Sequence, residues 1–245
     1  MLVSVIIPYY KDEQNIHSSI NSVLRQSYKK IEIIIIDDEN SKKSFKILSK
    51  FKSKNIKIFN TKKNLGVARA RNLGIKKSKG KLIAFLDSDD VWKKEKISLQ
   101  VKVIKNKNVD FCYTSYQANK NGQIIYKVKV PNNINYNTLI KSNPICCSSS
   151  ILKKKILLKN KFRNLDTKED YELWLRLAKK KYIFYGINKI LTSYRIRDKS
   201  LSNKHLNKVQ NAFLIYFKYN DFSLIKSILS VFILYISAFQ KKYFK

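Results

Sequence analysis

Apolar, β-branched runs at residues 2–7, 31–36, 56–59 and 81–86 alternate with segments whose apolar residues recur at helical spacing, and no other feature constrains the fold as much. Ile16, Ile20, Val23 and Leu24 mark a first amphipathic helix ending near residues 26–28, and Phe45, Leu48 and Phe51 suggest a second. Residues 65–75 read as a glycine-bounded turn running into a third helix. Such alternation predicts an α/β domain on a parallel sheet with right-handed crossovers. Ligands of these sheets sit beyond the carboxyl ends of the strands. Pro8, expected to close the first strand, falls at that edge with Tyr10, Asp37, Asp38 and the acids of residues 87–90.

The last of these runs carries the sharpest chemical signal. In GKLIAFLDSDDVW, residues 80–92, six mostly apolar residues stop abruptly at Asp87, Asp89 and Asp90. In an extended backbone Asp87 and Asp89 would share one face, where two carboxylates can hold a hard divalent cation and leave positions open for phosphate oxygens. A turn rich in Asp and Ser accounts for the same residues without a metal.

Charge narrows the choice of partners less than its size suggests. The 51 Lys and Arg against 17 Asp and Glu give a net charge of +34, yet only 7 of the basic residues are Arg and 44 are Lys. A nucleic-acid reader is expected to be richer in Arg, which supplies bidentate contacts that Lys cannot. The excess fits a solvated, lysine-studded surface, or attraction to an anionic membrane or a polyanionic substrate. Cys112, Cys146 and Cys147 have neither metal-ligand spacing nor an even count, and fit buried thiols in a reducing compartment. MLVSVIIPYY, without a basic leader or a small-residue cleavage site, reads as a first strand. His17 and His205 lack a partner pattern and are expected at the surface.

VSVIIPYY, SINSVLRQSY, EIIIIDD, NLGVARARNLGI and GKLIAFLDSDDVW, in this order and spacing, closely resemble the N-terminal, nucleotide-binding half of the family 2 glycosyltransferases of the GT-A fold. The likeness covers residues 3–100, and KEDYELWLRL at 168–177 matches a further segment. It implies a Rossmann-like, mostly parallel central sheet with flanking helices and a C-terminal helical tail. Residues 1–105 would form the nucleotide-sugar half, 106–205 the acceptor and catalytic-base half, and 206–245 the tail. The implied reaction is metal-assisted, inverting transfer of a hexosyl or N-acetylhexosaminyl group from a nucleotide-diphosphate sugar, foremost a UDP-sugar, to an acceptor hydroxyl. Surface polysaccharide or lipopolysaccharide assembly at the cytoplasmic face of the cell membrane is the implied setting, with a saccharide or lipid-linked saccharide as acceptor.

The same resemblance assigns roles. Pro8 and Tyr10 would line the base and ribose pocket, and Asp38 would accept a hydrogen bond from a uracil or thymine imide, with a strand-end turn or helix cap as its structural alternative. Arg71 would face the diphosphate, whereas Arg69 is expected to be an exposed helix charge. Gly66 and Gly74 would permit tight backbone turns. Asp89 would coordinate Mn2+ or Mg2+, Asp87 would contact metal or ribose, and Asp90 would touch the sugar or orient its neighbour; Trp92 would pack under the loop or border the donor site, with core packing the favoured role. Asp170 of the Glu169–Asp170 pair would be the catalytic base, although acids at a helix start also suit the macrodipole. SYRIRDKSLS at 193–202 resembles the post-catalytic loop, with Tyr194, Arg195 and Ser200 near the diphosphate. NPICCSSS at 143–150 would approach the acceptor. Lys11, and Glu39 with Asn40, depart from the family's usual Asn and Gly-Ser in the donor pocket.

Between Asn121 and Gly122 a tight turn is expected to join two strands in residues 109–130. From Phe222 onward, Ser223, Lys226, Ser227, Ser230, Ser237 and Lys241 share one helical face. Ile225, Ile228, Leu229, Phe232, Ile233, Ile236 and Phe239 share another. The uncharged run of residues 227–239 falls short of the roughly 20 residues that span a bilayer. An in-plane helix at an anionic membrane and a helix docked on the protein's own core both fit it. Two rival functions remain: a basic nucleic-acid-binding protein, for which no motif matches, and a catalytically silent GT-A domain serving as an interaction module.

Overall fold

A computed structural model describes residues 1–51, 53–197 and 205–243; Ser200, with the rest of 198–204, lies outside the described residues. The first half follows the predicted rhythm: β1 (Val3–Tyr9), α1 (Ile16–Leu24), β2 (Ile31–Asp37), α2 (Lys42–Leu48), β3 (Ile56–Asn60), α3 (Val67–Lys77) and β4 (Leu82–Phe85). Strands β3, β2, β1 and β4 lie in that order and all pair in parallel. Their residues alternate between two cores. Ile6, Ile34 and Ile36 face one, and Val5, Ile7, Ile33 and Ile35 face the other. Helices cover both faces, which is why these strands read as continuous apolar runs.

β1 runs through Pro8 instead of ending there. The ladder to β4 stops at the Ile6–Phe85 pair, while that to β2 continues to Tyr9–Asp37. Val3 donates its N–H toward the β2 side, and every second residue repeats that direction. Position 8 therefore points the other way, beyond the end of β4, where a missing N–H leaves no ladder bond unmade.

The second half extends the sheet with mixed pairing. β5 (Val91–Trp92) and α4 (Lys96–Lys107) lead to β6 (Phe111–Lys120), and a turn at Asn121 and Gly122 returns the chain as β7 (Gln123–Val128). Both turn residues have positive φ, 50° and 83°, as a two-residue hairpin turn needs. After α5 (Tyr136–Leu139), β8 (Ile151–Lys153) inserts antiparallel between β4 and β6. α6 (Lys154–Lys159), α7 (Glu169–Lys179) and β9 (Phe184–Arg195) follow; β9 pairs with β6 in parallel and with β5 antiparallel. α8 (His205–Phe217) and α9 (Leu224–Tyr243) close the described chain.

The two glycines singled out in the third helical segment do different work. Gly66 caps α3 with φ +81°, a turn conformation that other residues resist. Gly74 sits inside α3 and forms no turn. A Cβ there would lie 2.5 Å from Cγ2 of Ile6, so its small size lets α3 approach β1. Gly74→Ala is expected to cost about 1–3 kcal/mol through overpacking, read as a lower midpoint in urea unfolding.

Candidate active site

The carboxyl ends of the parallel strands open into a cleft of about 1010 Å³. Pro8, Tyr10, Asp38, Arg71, Asp87, Asp89, Glu169 and Asp170 all line it, so most of the site residues expected from sequence converge. Asp90 and Arg195 do not line it.

The acids after β4 do not continue as an extended strand. Asp90 N–H donates to the Asp87 carbonyl at 3.1 Å, closing a turn. Long-range bonds fix that turn: Ser19 Oγ donates to the carbonyls of Ser88 and Asp90, and Ser148 Oγ accepts from Asp87 N–H. Asp87 and Asp89 consequently face different cations instead of sharing one strand face. Asp87 accepts from Arg71 Nη2 at 2.6 Å, and Asp89 pairs with Arg197 Nε at 2.6 Å. Asp90 is fully buried and takes Arg195 N–H at 2.9 Å, while Arg195 Nε donates to the Asp89 carbonyl. Burial, with Asp89 and Asp87 nearby, pushes the Asp90 carboxyl well above its ordinary range. Asp90 and Arg195 thus hold the turn from behind. Trp92 packs in the core as expected and donates its indole N–H to the Ser148 carbonyl.

Asp37 and Asp38, adjacent at the end of β2, divide their tasks. Asp37 is buried and accepts from the N–H groups of Glu39 and Asn40 and from Ser44 Oγ, fixing the start of α2. Asp38 reaches the cleft, and its carboxylate accepts from Thr61 Oγ1 and from Leu65 and Gly66 N–H at 2.8 to 2.9 Å. It pins the loop that leads into α3. Two departures from the family pattern meet here, since Lys11 N–H donates to the Glu39 carboxylate at 3.1 Å.

Arg71 is the electrostatic hub. It is 2% exposed, lies over the Phe162 ring at 5.5 Å, and pairs with both Asp87 and Glu169. Burial opposes its charge, but Asp87 and Glu169 more than compensate and hold it protonated. Arg69 is exposed on the same helix, as expected. Across the cleft, Glu169 and Asp170 open α7. Lys168 before them has φ +62°, which breaks the preceding backbone sharply and brings both acids to the cleft wall. Burial first, then the charge of Glu169, raises the Asp170 pKa to about 7 against the opposing pull of Arg71. A buried carboxyl raised toward neutrality in a cleft is a common arrangement at acid–base sites.

Sequence reasoning missed Asp12, Arg197, Lys168 and Lys208. Asp12 is 3% exposed, accepts from Ser88 Oγ at 2.6 Å, and pairs with Arg197, which links it to Asp89. Arg197 lay within the quoted SYRIRDKSLS segment, but its partner stands 185 positions away. Lys168 and Lys208 line the cleft, and burial lowers both their pKa values; for Lys168, Asp170 opposes the effect and the nearby Lys208 adds to it. Cys147 is buried and Cys146 half-buried in the cleft wall, and Cys112 is buried elsewhere; all three are free. His17 is exposed, edge-on to Phe51.

The donor set suits a hard cation in one respect. Burial, with Asp87 and Asp12 close by, raises the Asp89 pKa to about 6 even though Arg197 opposes it. Clustered carboxylate oxygens of this kind are what a divalent ion relieves. Among the described residues no three such side chains converge into a complete cage. Most coordination positions would therefore fall to ligand oxygens and water.

Comparison with solved structures identifies the fold as GT-A. Staphylococcus aureus TarS in complex with UDP-GlcNAc superposes with a TM-score of 0.74 at 21% identity, over 94% of this chain and 70% of that one. The mannosyltransferase PcManGT from Pyrobaculum calidifontis, in complex with GDP-Man and Mn2+, gives 0.71 at 13% identity, over 96% and 72%. Sequence carries the assignment further: the model for Glycosyl transferase family 2 matches residues 4–161, and the chain belongs to that family. Escherichia coli WfgD, a UDP-Glc:alpha-D-GlcNAc-diphosphoundecaprenol beta-1,3-glucosyltransferase, is 36% identical over 85% of this chain and 83% of its own. TuaG of Bacillus subtilis, a putative teichuronic acid biosynthesis glycosyltransferase, is 31% identical over 88% and 87%.

Proposed function

We propose that this glycosyltransferase moves a hexosyl group from a UDP-sugar to a hydroxyl of a lipid-linked saccharide, with inversion, during bacterial surface polysaccharide assembly at the inner face of the membrane. The observation that carries the reading is the bridge made by Arg71. One buried guanidinium ties Asp87 of the acidic turn to Glu169 beside Asp170, so the donor end and the base end of the cleft are held in one ion-paired unit. The names of the Escherichia coli relatives supply the substrate class.

In this mechanism Pro8 and Tyr10 border the nucleoside, and Asp38 shapes the loop against it. Asp89 and Asp87 would hold Mn2+ or Mg2+, which neutralises charge on the departing diphosphate. Asp170, ionised, takes the proton from the acceptor hydroxyl as that oxygen bonds to the anomeric carbon; the bond from that carbon to the diphosphate oxygen breaks and UDP leaves with the electron pair. Attack from the face opposite the leaving group inverts the centre. Arg71 positions Asp87 and Glu169, and Arg197 brings a second cation beside Asp89. Lys168, near the base, and Lys208, near Lys168 in the cleft lining, suit an acceptor that carries its own diphosphate.

The test is transfer from UDP-Glc, UDP-GlcNAc and UDP-Gal, with Mn2+, onto an α-GlcNAc diphosphate bearing an alkyl chain and onto a panel of other glycosyl diphosphates. A mass increase of one hexosyl unit with a β-anomeric product by NMR is the expected result. No product and no UDP release from any donor by the folded protein would overturn the reading.

A further inference from the structure

Helix α9 is built the wrong way round for a helix packed on a soluble core. Ile225, Ile228, Leu229, Phe232, Ile233 and Ile236 share one face and are 42% to 71% exposed. The opposite face, carrying Ser227, Ser230, Leu234 and Ser237, turns toward the protein. Ser227 is fully buried and donates to the Ser223 carbonyl, and Ser237 Oγ bonds Ser142 Oγ at 2.7 Å. An amphipathic helix normally buries its apolar stripe. The inner face also carries Val231 and Tyr235, which pack with Leu234 on the protein's core, so α9 is docked as one alternative expected, yet its larger apolar stripe stays outside.

We propose that this stripe seats the protein on an anionic lipid surface, lying in the plane of the interface. Charge supports that occupant: residues 205–245 contain six lysines and one acid, Asp221, in a chain of net charge +34. No helix among the described residues is long and apolar enough to cross a membrane, which favours in-plane seating over spanning. Exposed apolar residues also occur beside the helix. Strand β7, against which α9 packs, exposes Ile124 and Ile125.

The placement deepens the lipid-linked acceptor reading and rests on it for its functional meaning. Leu234, on the inner face of α9, lines the cleft, and the Tyr235 ring lies 5.2 Å from Nζ of Lys168. The same helix therefore walls the acceptor side of the cleft and touches lipid, so the cleft stands about one helix diameter, ~10 Å, from the membrane surface. An acceptor diphosphate can then reach Lys168 and Lys208 while its hydrocarbon stays in the bilayer.

The experiment uses the full chain with vesicles of phosphatidylethanolamine and phosphatidylglycerol, and with vesicles of phosphatidylcholine alone. Wild type should float with the anionic vesicles, and Ile228→Asp combined with Phe232→Asp should lower the bound fraction at least tenfold while circular dichroism stays unchanged. Phe232→Trp should shift its emission to the blue on adding anionic vesicles, which adsorption through lysines alone would not produce. Unchanged Trp emission with anionic vesicles would overturn the proposal. So would a wild-type dimer that the double variant converts to monomer with no lipid dependence, since a second copy would then cover the stripe. Stabilisation by UDP and Mn2+ without lipid should be the same in wild type and the double variant. Its loss in both would count against the enzymatic reading and leave the lipid result to be judged separately.

Discussion

Asp170→Asn is expected to lower kcat by about 10² to 10⁴-fold while UDP-sugar affinity stays within a few-fold of wild type. The substitution keeps shape and hydrogen bonding at the start of α7 and removes only the ability to take a proton. The pH profile sharpens the test. A base with a pKa raised to about 7 is protonated and idle below that value, so kcat/KM should rise with pH through about 7 and level off above it. Stability should move the opposite way. A carboxyl whose folded-state pKa is raised binds an extra proton in the folded state, so its contribution becomes less favourable as pH climbs from the ordinary carboxylate range to about 7. Asp170→Asn should accordingly raise the Tm at pH 8, and raise it less at pH 5. An inactive variant with a higher Tm at pH 8 separates a catalytic loss from a folding defect. Full activity in the variant would remove Asp170 from the mechanism.

Arg71→Met should have the largest effect on stability. The guanidinium is buried, and its loss strands two carboxylates that face each other across it. Removing one partner of a buried ion pair costs about 3–5 kcal/mol, and the low end applies because the Asp87 side chain is 30% exposed and can recruit water. For a chain of this size that is a Tm lower by about 6–12 °C in calorimetry. Adding Glu169→Gln should recover part of the lost stability, because the stranded charge is gone, yet recover no activity. A double variant no more stable than Arg71→Met would show that the bridge is not what holds the two ends of the cleft.

These two residues also mark what the sequence made legible. The parallel half-sheet was plain because β-branched runs buried on both faces have few alternatives, and the acids at the strand ends placed the cleft. Arg71 was separable from Arg69 only through the family resemblance, yet burial alone now distinguishes them. Less legible was the turn of residues 87–90. Spacing suggested an extended segment, but Ser19, 69 and 71 positions before its two acceptors, and Ser148, 61 positions after Asp87, fold it back with hydrogen bonds that no local pattern encodes. Asp12 and Arg197 escaped notice for the same reason. Pro8 reads as a strand end because a missing N–H normally breaks a ladder, and only the shorter β4 reveals why it does not. For the tail, periodicity separated an apolar face from a serine face without indicating which one points inward. That depends on the shape of the surface receiving it, where small serines allow α9 to pack closely.

The proposed reaction requires a nucleoside diphosphate and a divalent ion to share the cleft at the acidic turn. The direct measurement is thermal stabilisation by UDP, with and without Mn2+, of wild type and Asp89→Asn. Stabilisation that needs both ligands and is lost in Asp89→Asn, with the unliganded Tm of the variant close to that of wild type, is the predicted result. Equal stabilisation of both proteins, or none of either with UDP and Mn2+ together, would contradict it.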